Sequence, residues 1–225
     1  PEGDFLFRDG EVLPYAEIAG PCVPVIAFGS NAAPEHLARK FGDLPGTAIA
    51  VVEIEIADVD IVYSAHLTSY ASIPATLAPS PGTAVRCHLT LVPEDRLGRL
   101  HQSEMGRALG PTTNYSFGCL EKIQARRPAG EPVADLHAYL CNHGFFGLEA
   151  TPIALSARRA ERRTFPAWTE AELLETARHH LAPDLALDEF IKTALADRHQ
   201  RATWTQSLRA TAHPAQVPGF VPLVP

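Results

Sequence analysis

Apolar residues in the first 150 positions recur with period two. Val85, Cys87, Leu89 and Leu91 alternate with Arg86, His88 and Thr90, as in a strand with one buried face. Val52, Ile54 and Ile56 alternate with Glu53 and Glu55, and then the phase changes: Val59, Ile61 and Tyr63 are apolar against Asp58 and Asp60. A bulge or bend near Ala57 is the simplest cause, since a register slip would turn the core face to solvent. Ala134, Leu136, Ala138 and Leu140, interleaved with Asp135, His137 and Tyr139, predict a further strand. Pro79-Ser80-Pro81-Gly82 and Pro128-Ala129-Gly130 read as turns separating strands. Strands so punctuated favour a mixed or antiparallel sheet that curls into a barrel.

Near Thr151-Pro152 the pattern changes from strand-rich to helix-rich. Thr169-Glu170-Ala171-Glu172 is a capping box ahead of Leu173, Leu174 and Ala177. A second amphipathic stretch begins at about Asp184 and places Leu187, Phe190, Ile191 and Leu195 on one face. Pro214, Pro218, Pro222 and Pro225 preclude a helix at the end and predict an extended tail. The expected architecture is α+β: a small mixed β-barrel with surrounding helices over residues 1–150, and a helical extension with a proline-rich tail over 151–225, packed on the barrel.

Composition narrows the class. The chain has 26 acidic and 19 basic residues and a net charge of −7, which argues against a general binder of nucleic acid. Residues 1–150 hold 18 of the acids and 10 of the bases, so the acidity lies in the strand-rich part. Twenty prolines in 225 residues imply many short elements and count against a helical bundle. Cys22, Cys87, Cys119 and Cys141 lack the close pairing of zinc ribbons or redox dithiols and read as reduced core residues. With no apolar run of bilayer length and no signal-peptide pattern at Pro1-Glu2-Gly3-Asp4, a cytoplasmic location is expected, with no membrane partner. An oligomer is compatible with the sequence but not indicated by it.

Two places carry candidate chemistry. In the first, Val25-Ile26-Ala27-Phe28 is a strand-like run that stops in Gly29-Ser30-Asn31-Ala32, ahead of the helical pattern Pro34 to Lys40. A strand that enters a small-residue turn before a helix leaves backbone N–H groups free for a carboxylate or a developing oxyanion. The competing reading is a plain strand–helix turn in which Ser30 or Asn31 caps the helix. Ser30 is disfavoured as a nucleophile because Ala32 occupies the second glycine position of the Gly-x-Ser-x-Gly elbow.

In the second place a helix is expected to begin at Pro93-Glu94-Asp95, with Leu97 and Leu100 on its buried face. Glu104, four residues after Leu100, continues that stripe. An inward carboxylate without a cationic partner suits a general acid/base. The competing reading is a helix frayed by Glu104, with the side chain in solvent.

Together these places resemble the gamma-glutamylcyclotransferase-like family. Phe28-Gly29-Ser30-Asn31 matches its Tyr-Gly-Ser-Asn loop after the first strand, with Phe28 in place of the tyrosine. The turn Ser80-Pro81-Gly82, the strand Ala84 to Val92 and the segment Leu100 to Gly106, which holds Glu104, follow in the family's order. His101 stands where many members have aspartate, and the resemblance spans roughly residues 24 to 145. It implies a small mixed barrel with a cavity at whose base loop and glutamate face each other. It also implies intramolecular aminolysis of a gamma-glutamyl amide, releasing 5-oxoproline and an amine. Carried over by position, Glu104 is the acid/base, and the backbone of Gly29, Ser30, Asn31 and Ala32 cradles the glutamyl group or the oxyanion. The implied partner is a small-molecule substrate, without a cofactor.

Two other classes stay open: a non-catalytic domain that binds a small carboxylate, and an amide hydrolase or decarboxylase-type enzyme with a non-glutamyl substrate. Tyr115 and Phe117 are candidates for an aromatic wall, with core packing the commoner role. Asp135, His137, Cys141 and His143 lack a matching ligand set elsewhere, so zinc is not expected. His137 or Tyr139 lining the cavity is the better reading of that strand. Arg158, Arg159, Arg162 and Arg163 read by default as a solvated or acid-paired face.

Overall fold

A computed structural model describes residues 3–105, 114–148 and 150–223. The chain starts with an antiparallel hairpin of β1 (Phe5–Arg8) and β2 (Glu11–Pro14). Next, β3 (Cys22–Ala27) leads into a single 3-10 turn at Ser30–Ala32 and then α1 (Pro34–Phe41). Pro34 suits the start of α1, because its missing N–H would have had no acceptor within the helix.

Two long strands, β4 (Ala48–Tyr63) and β5 (Ala75–Pro93), run antiparallel from Ala50 opposite Leu91 to Tyr63 opposite Ala75. Their register shifts between Ala57 and Val59, where the hydrophobic pattern changes phase. Asp58 adopts a positive φ of 60°, and the Gly82 amide donates to its Oδ1 at 2.8 Å. Pro79–Gly82 is therefore not a turn between strands. It belongs to a bulge within β5, closed by the Ser80 and Thr83 hydroxyls at 2.7 Å, and the ladder resumes on both sides.

After β5 come α2 (Glu94–Met105), β6 (Tyr115–Leu120), β7 (Ala125–Arg126), β8 (Pro132–Val133) and β9 (His137–Cys141). Short strands β10 (Gly147–Leu148), β11 (Thr151–Pro152), β12 (Ala154–Leu155), β13 (Ala160–Glu161) and β14 (Ala167–Trp168) lead to three helices. These are α3 (Glu170–Leu181), α4 (Leu187–Ala196) and α5 (Arg198–Ala210), followed by β15 (Phe220–Pro222).

The main sheet runs β14-β12-β4-β5-β3-β9-β6-β15, and among the described residues its end strands do not pair with each other. The expected barrel is therefore not confirmed: the sheet is not closed. The exposed edge of β6 is covered by the chain's own β15 instead of closing onto β14. The sheet is covered on both faces. Val52, Ile54, Ile56, Val85, Cys87 and Leu89 fill one core with Ile26, Leu136 and Leu140. Val25, Ala27, Val51 and Val92 face the other, which α1 and α2 complete with Leu37, Phe41, Leu100 and Met105.

Residues after 151 return to this sheet through β12, β13 and β15. Their helices form a third core with Tyr63, Leu67, Ile73 and Phe146. The capping box is present: Glu172 N–H donates to Thr169 Oγ1 at 3.3 Å and Thr169 N–H to Glu172 Oε2 at 2.8 Å. In α4, Phe190 is fully buried, but Leu195 is 51% exposed and Ala194 takes the inward position instead. Cys87 and Cys141 are core residues, whereas Cys22 and Cys119 are only partly buried. Among the described residues no helix is long and apolar enough to cross a membrane.

Candidate active site

The turn after β3 and the end of α2 meet because α1 and α2 are fastened side by side. Arg99 of α2 donates through Nε to the Lys40 carbonyl at 2.7 Å, and its Nη2 reaches both Asp43 oxygens at 2.9 and 3.0 Å. α2 remains helical through Met105, so Glu104 does not return to solvent, and its side chain is 16% exposed. Gly106 of the matched segment lies outside the described residues.

A cavity of about 80 Å³ opens between these elements. Phe28, Gly29, Ser30, Asn31, Glu104 and Tyr115 line it, together with Tyr139, Ile26, Pro74 and Ala75. Ala32, expected beside them, instead packs into the core with Leu37 and Phe41, because the turn directs its methyl group inward. Capping does not account for the turn: α1 starts from Ala33, and no side chain caps it. The amides that open a helical turn have no acceptor within it.

Glu104 has a partner that the sequence reading missed. Lys40 Nζ is ion-paired with Glu104 Oε1 and donates to Asn31 Oδ1 at 2.7 Å, joining the loop to the glutamate. The expectation of an inward carboxylate without a cation is thereby corrected. The signal for Lys40 was available: it lies three residues after Leu37, on the buried side of α1, as Glu104 follows Leu100 in α2.

Two tyrosines supply the other wall. Burial raises the Tyr115 and Tyr139 phenols above the ordinary tyrosine value, so both are protonated at neutral pH. Tyr139 OH lies 2.8 Å from His101 Nδ1, and burial lowers the His101 pKa. The lowered pKa favours neutral His101, whose ring shares one hydrogen bond with the Tyr139 phenol.

No family model matches the chain. No curated protein matches it either. Among solved structures it is similar to an uncharacterized protein from Homo sapiens, with TM-score 0.44 and 12% identity over 87% of this chain and 90% of that one. A gamma-glutamyl cyclotransferase gives TM-score 0.43 and 12% identity over 88% and 92%. A protein from Arabidopsis thaliana gives 0.41 and 13% over 75% and 97%. The family that the sequence motifs resemble is thus represented among the similar structures.

The remaining candidates have ordinary surroundings. His137 stacks on Phe117 at 5.4 Å, and Cys141 Sγ lies 3.7 Å from His66 Nδ1. Among the described residues no three His, Cys, Asp or Glu side chains are placed to hold a metal ion. A larger groove of about 310 Å³ is lined by Arg86, Arg126, Arg127, Glu53, Glu55 and Glu161. Its charges largely pair off, Arg126 with Glu55, Arg86 with Glu53 and Arg127 with Asp4.

The arginine cluster divides: Arg159 and Arg162 are exposed, whereas Arg158 and acid-paired Arg163 are partly buried. Arg163 makes a two-pronged bond to fully buried Asp60, at 2.8 and 3.0 Å. Arg162 Nε donates to the Gly82 carbonyl at 2.9 Å, and Arg158 Nη2 to the Gly29 carbonyl at 3.0 Å. The Arg159 carbonyl accepts from the Arg86 amide at 2.8 Å.

Proposed function

We propose that the protein is a cyclotransferase-like enzyme acting on a gamma-glutamyl amide or a related small amide, with Glu104 as acid/base. The observation that carries this reading is that Glu104 and the turn residues Gly29, Ser30 and Asn31 line one cavity. Glu104 takes a proton from the substrate's alpha-amine as that nitrogen attacks the side-chain carbonyl. The new C–N bond closes a five-membered ring, and negative charge develops on the carbonyl oxygen, where turn amides stabilise it. Collapse breaks the bond to the leaving nitrogen, which receives the proton back from Glu104, and 5-oxoproline is released. Lys40 supplies N–H donors to Glu104 and Asn31, a place that the substrate's own amine takes in turn. Tyr115 and Tyr139, as neutral phenols, bound the glutamyl chain. Phe28 contributes only an apolar wall.

The test is incubation of the protein and Glu104→Gln with gamma-glutamyl dipeptides and gamma-glutamyl amines, with 5-oxoproline followed by mass spectrometry. Turnover by the wild type that falls by about 100-fold or more in the variant is expected for loss of a general acid/base. Unchanged turnover removes Glu104 from the mechanism. A second reading, a non-catalytic pocket for a small carboxylate, is favoured by the Lys40 ammonium that already engages Glu104. Binding of L-glutamate or 5-oxoproline with no turnover of any amide supports it over the first.

A further inference from the structure

Arg158 stands outside the cavity yet holds one of its walls. Its Nη2 reaches the Gly29 carbonyl at 3.0 Å, across 129 positions of sequence. The backbone that carries it is fixed on both sides. The Arg158 amide bonds the Leu155 carbonyl at 3.0 Å, the Arg159 carbonyl accepts from Arg86, and Ala160 and Glu161 pair with Val85 and Ala84. Among the described residues no carboxylate pairs with Arg158. A half-buried guanidinium without a counter-ion is costly, so its retention at a single carbonyl asks for a use.

Peptide geometry supplies one. Among the described residues no peptide bond is cis, and in a trans peptide the carbonyl and the following N–H point in opposite directions. Gly29 and Ser30 line the cavity and Arg158 does not. With the Gly29 oxygen drawn toward the guanidinium, the Ser30 N–H leaves the opposite edge of the same plane. A charged donor on the carbonyl also polarises the peptide and strengthens that N–H as a donor.

We infer that Arg158 is a positioning residue for the candidate reaction: it fixes and polarises the Gly29–Ser30 peptide so that the Ser30 amide serves the substrate's carbonyl oxygen. The inference rests on the cyclotransferase reading for its chemistry, though not for its geometry. It also gives the segment after residue 151 a part in the site.

The experiment compares wild type, Arg158→Met and Arg158→Lys by two readouts. The first is the amide spectrum of ¹⁵N-labelled protein titrated with 5-oxoproline, which needs no turnover. In Arg158→Met the Ser30 signal should move and its response to 5-oxoproline should shrink, with Arg158→Lys lying between the two. The second is steady-state release of 5-oxoproline, where Arg158→Met should lower kcat by about tenfold or more with KM changed far less, as for a group acting on the developing oxyanion. A Ser30 signal and response unchanged in Arg158→Met, with unchanged melting temperature, overturns the inference. So does a kcat within twofold of wild type. A wild type that releases no 5-oxoproline, but whose Ser30 signal depends on Arg158, overturns the reaction and upholds the positioning role.

Discussion

His66 is 2% exposed and sits behind the cavity wall, with Ser64 Oγ at 3.2 Å and the Tyr115 and His143 rings at 5.6 and 6.2 Å. Burial is the main reason its pKa falls from the ordinary 6.5 to about 3, with His143 and Arg209 adding to the effect. The folded state therefore holds His66 neutral, while the unfolded chain protonates it below pH 6.5. Stability contributed by neutral His66 is full above that pH and drains away as the pH falls toward 3, by about 1.4 kcal/mol per unit at most. Urea unfolding at pH 7.5 and pH 5 should show the loss, and His66→Gln should flatten it. At the same scale, Glu104 was legible in the sequence as a carboxylate on an apolar stripe. Lys40 was not recognised, because a lysine near a helix end is usually read as a favourable charge on the dipole.

Among the elements, those bounded by local chemistry were the most legible. The Thr169 capping box marked the start of α3, and the phase change marked the register shift between Ala57 and Val59 of β4. The break in β5 was misread because Pro-Ser-Pro-Gly ordinarily ends a strand. Here it bulges without ending, since the partner β4 continues on both sides. α5 escaped notice because Trp204 and Leu208 are the only large apolar residues among its 13. The proline-rich tail proved to be packed: Phe220–Pro222 pairs with β6, and the Leu223 amide donates to the Phe117 carbonyl at 2.9 Å. That docking depends on Gly118, where a Cβ would meet the Val221 oxygen at 2.4 Å and the Phe220 ring at 2.6 Å. Gly118→Ala should release the tail, seen as lost hydrogen-exchange protection over residues 219–223, while α3 to α5 stay protected.

Across the whole molecule, the open sheet and the last 75 residues are tied by polar bonds that sequence patterns do not announce. Asp60 looked like the solvent side of a strand, yet it is fully buried because Arg163 arrives from 103 positions away. Asp60→Ala leaves a guanidinium with little solvent and should cost about 3–5 kcal/mol in urea unfolding. The double variant Asp60→Ala, Arg163→Met should recover much of that loss, since removal of both partners leaves no buried charge. Such partners are invisible to period-two reading, which assigns a face but not what covers it.

Length of chain between partners also has a consequence in time. Val25 pairs with His137, Val62 with Ala154, Val85 with Ala160 and Gly118 with Pro222. Each of these contacts closes a long loop before it yields any stabilisation, which places the protein among slow folders, in milliseconds to seconds. The β4–β5 hairpin, whose ladder is nearly local, can form first and serve as the template. The Gly29 turn meets Arg158 across 129 positions, farther than any of these pairs, so the candidate site is among the last parts of the molecule to take shape.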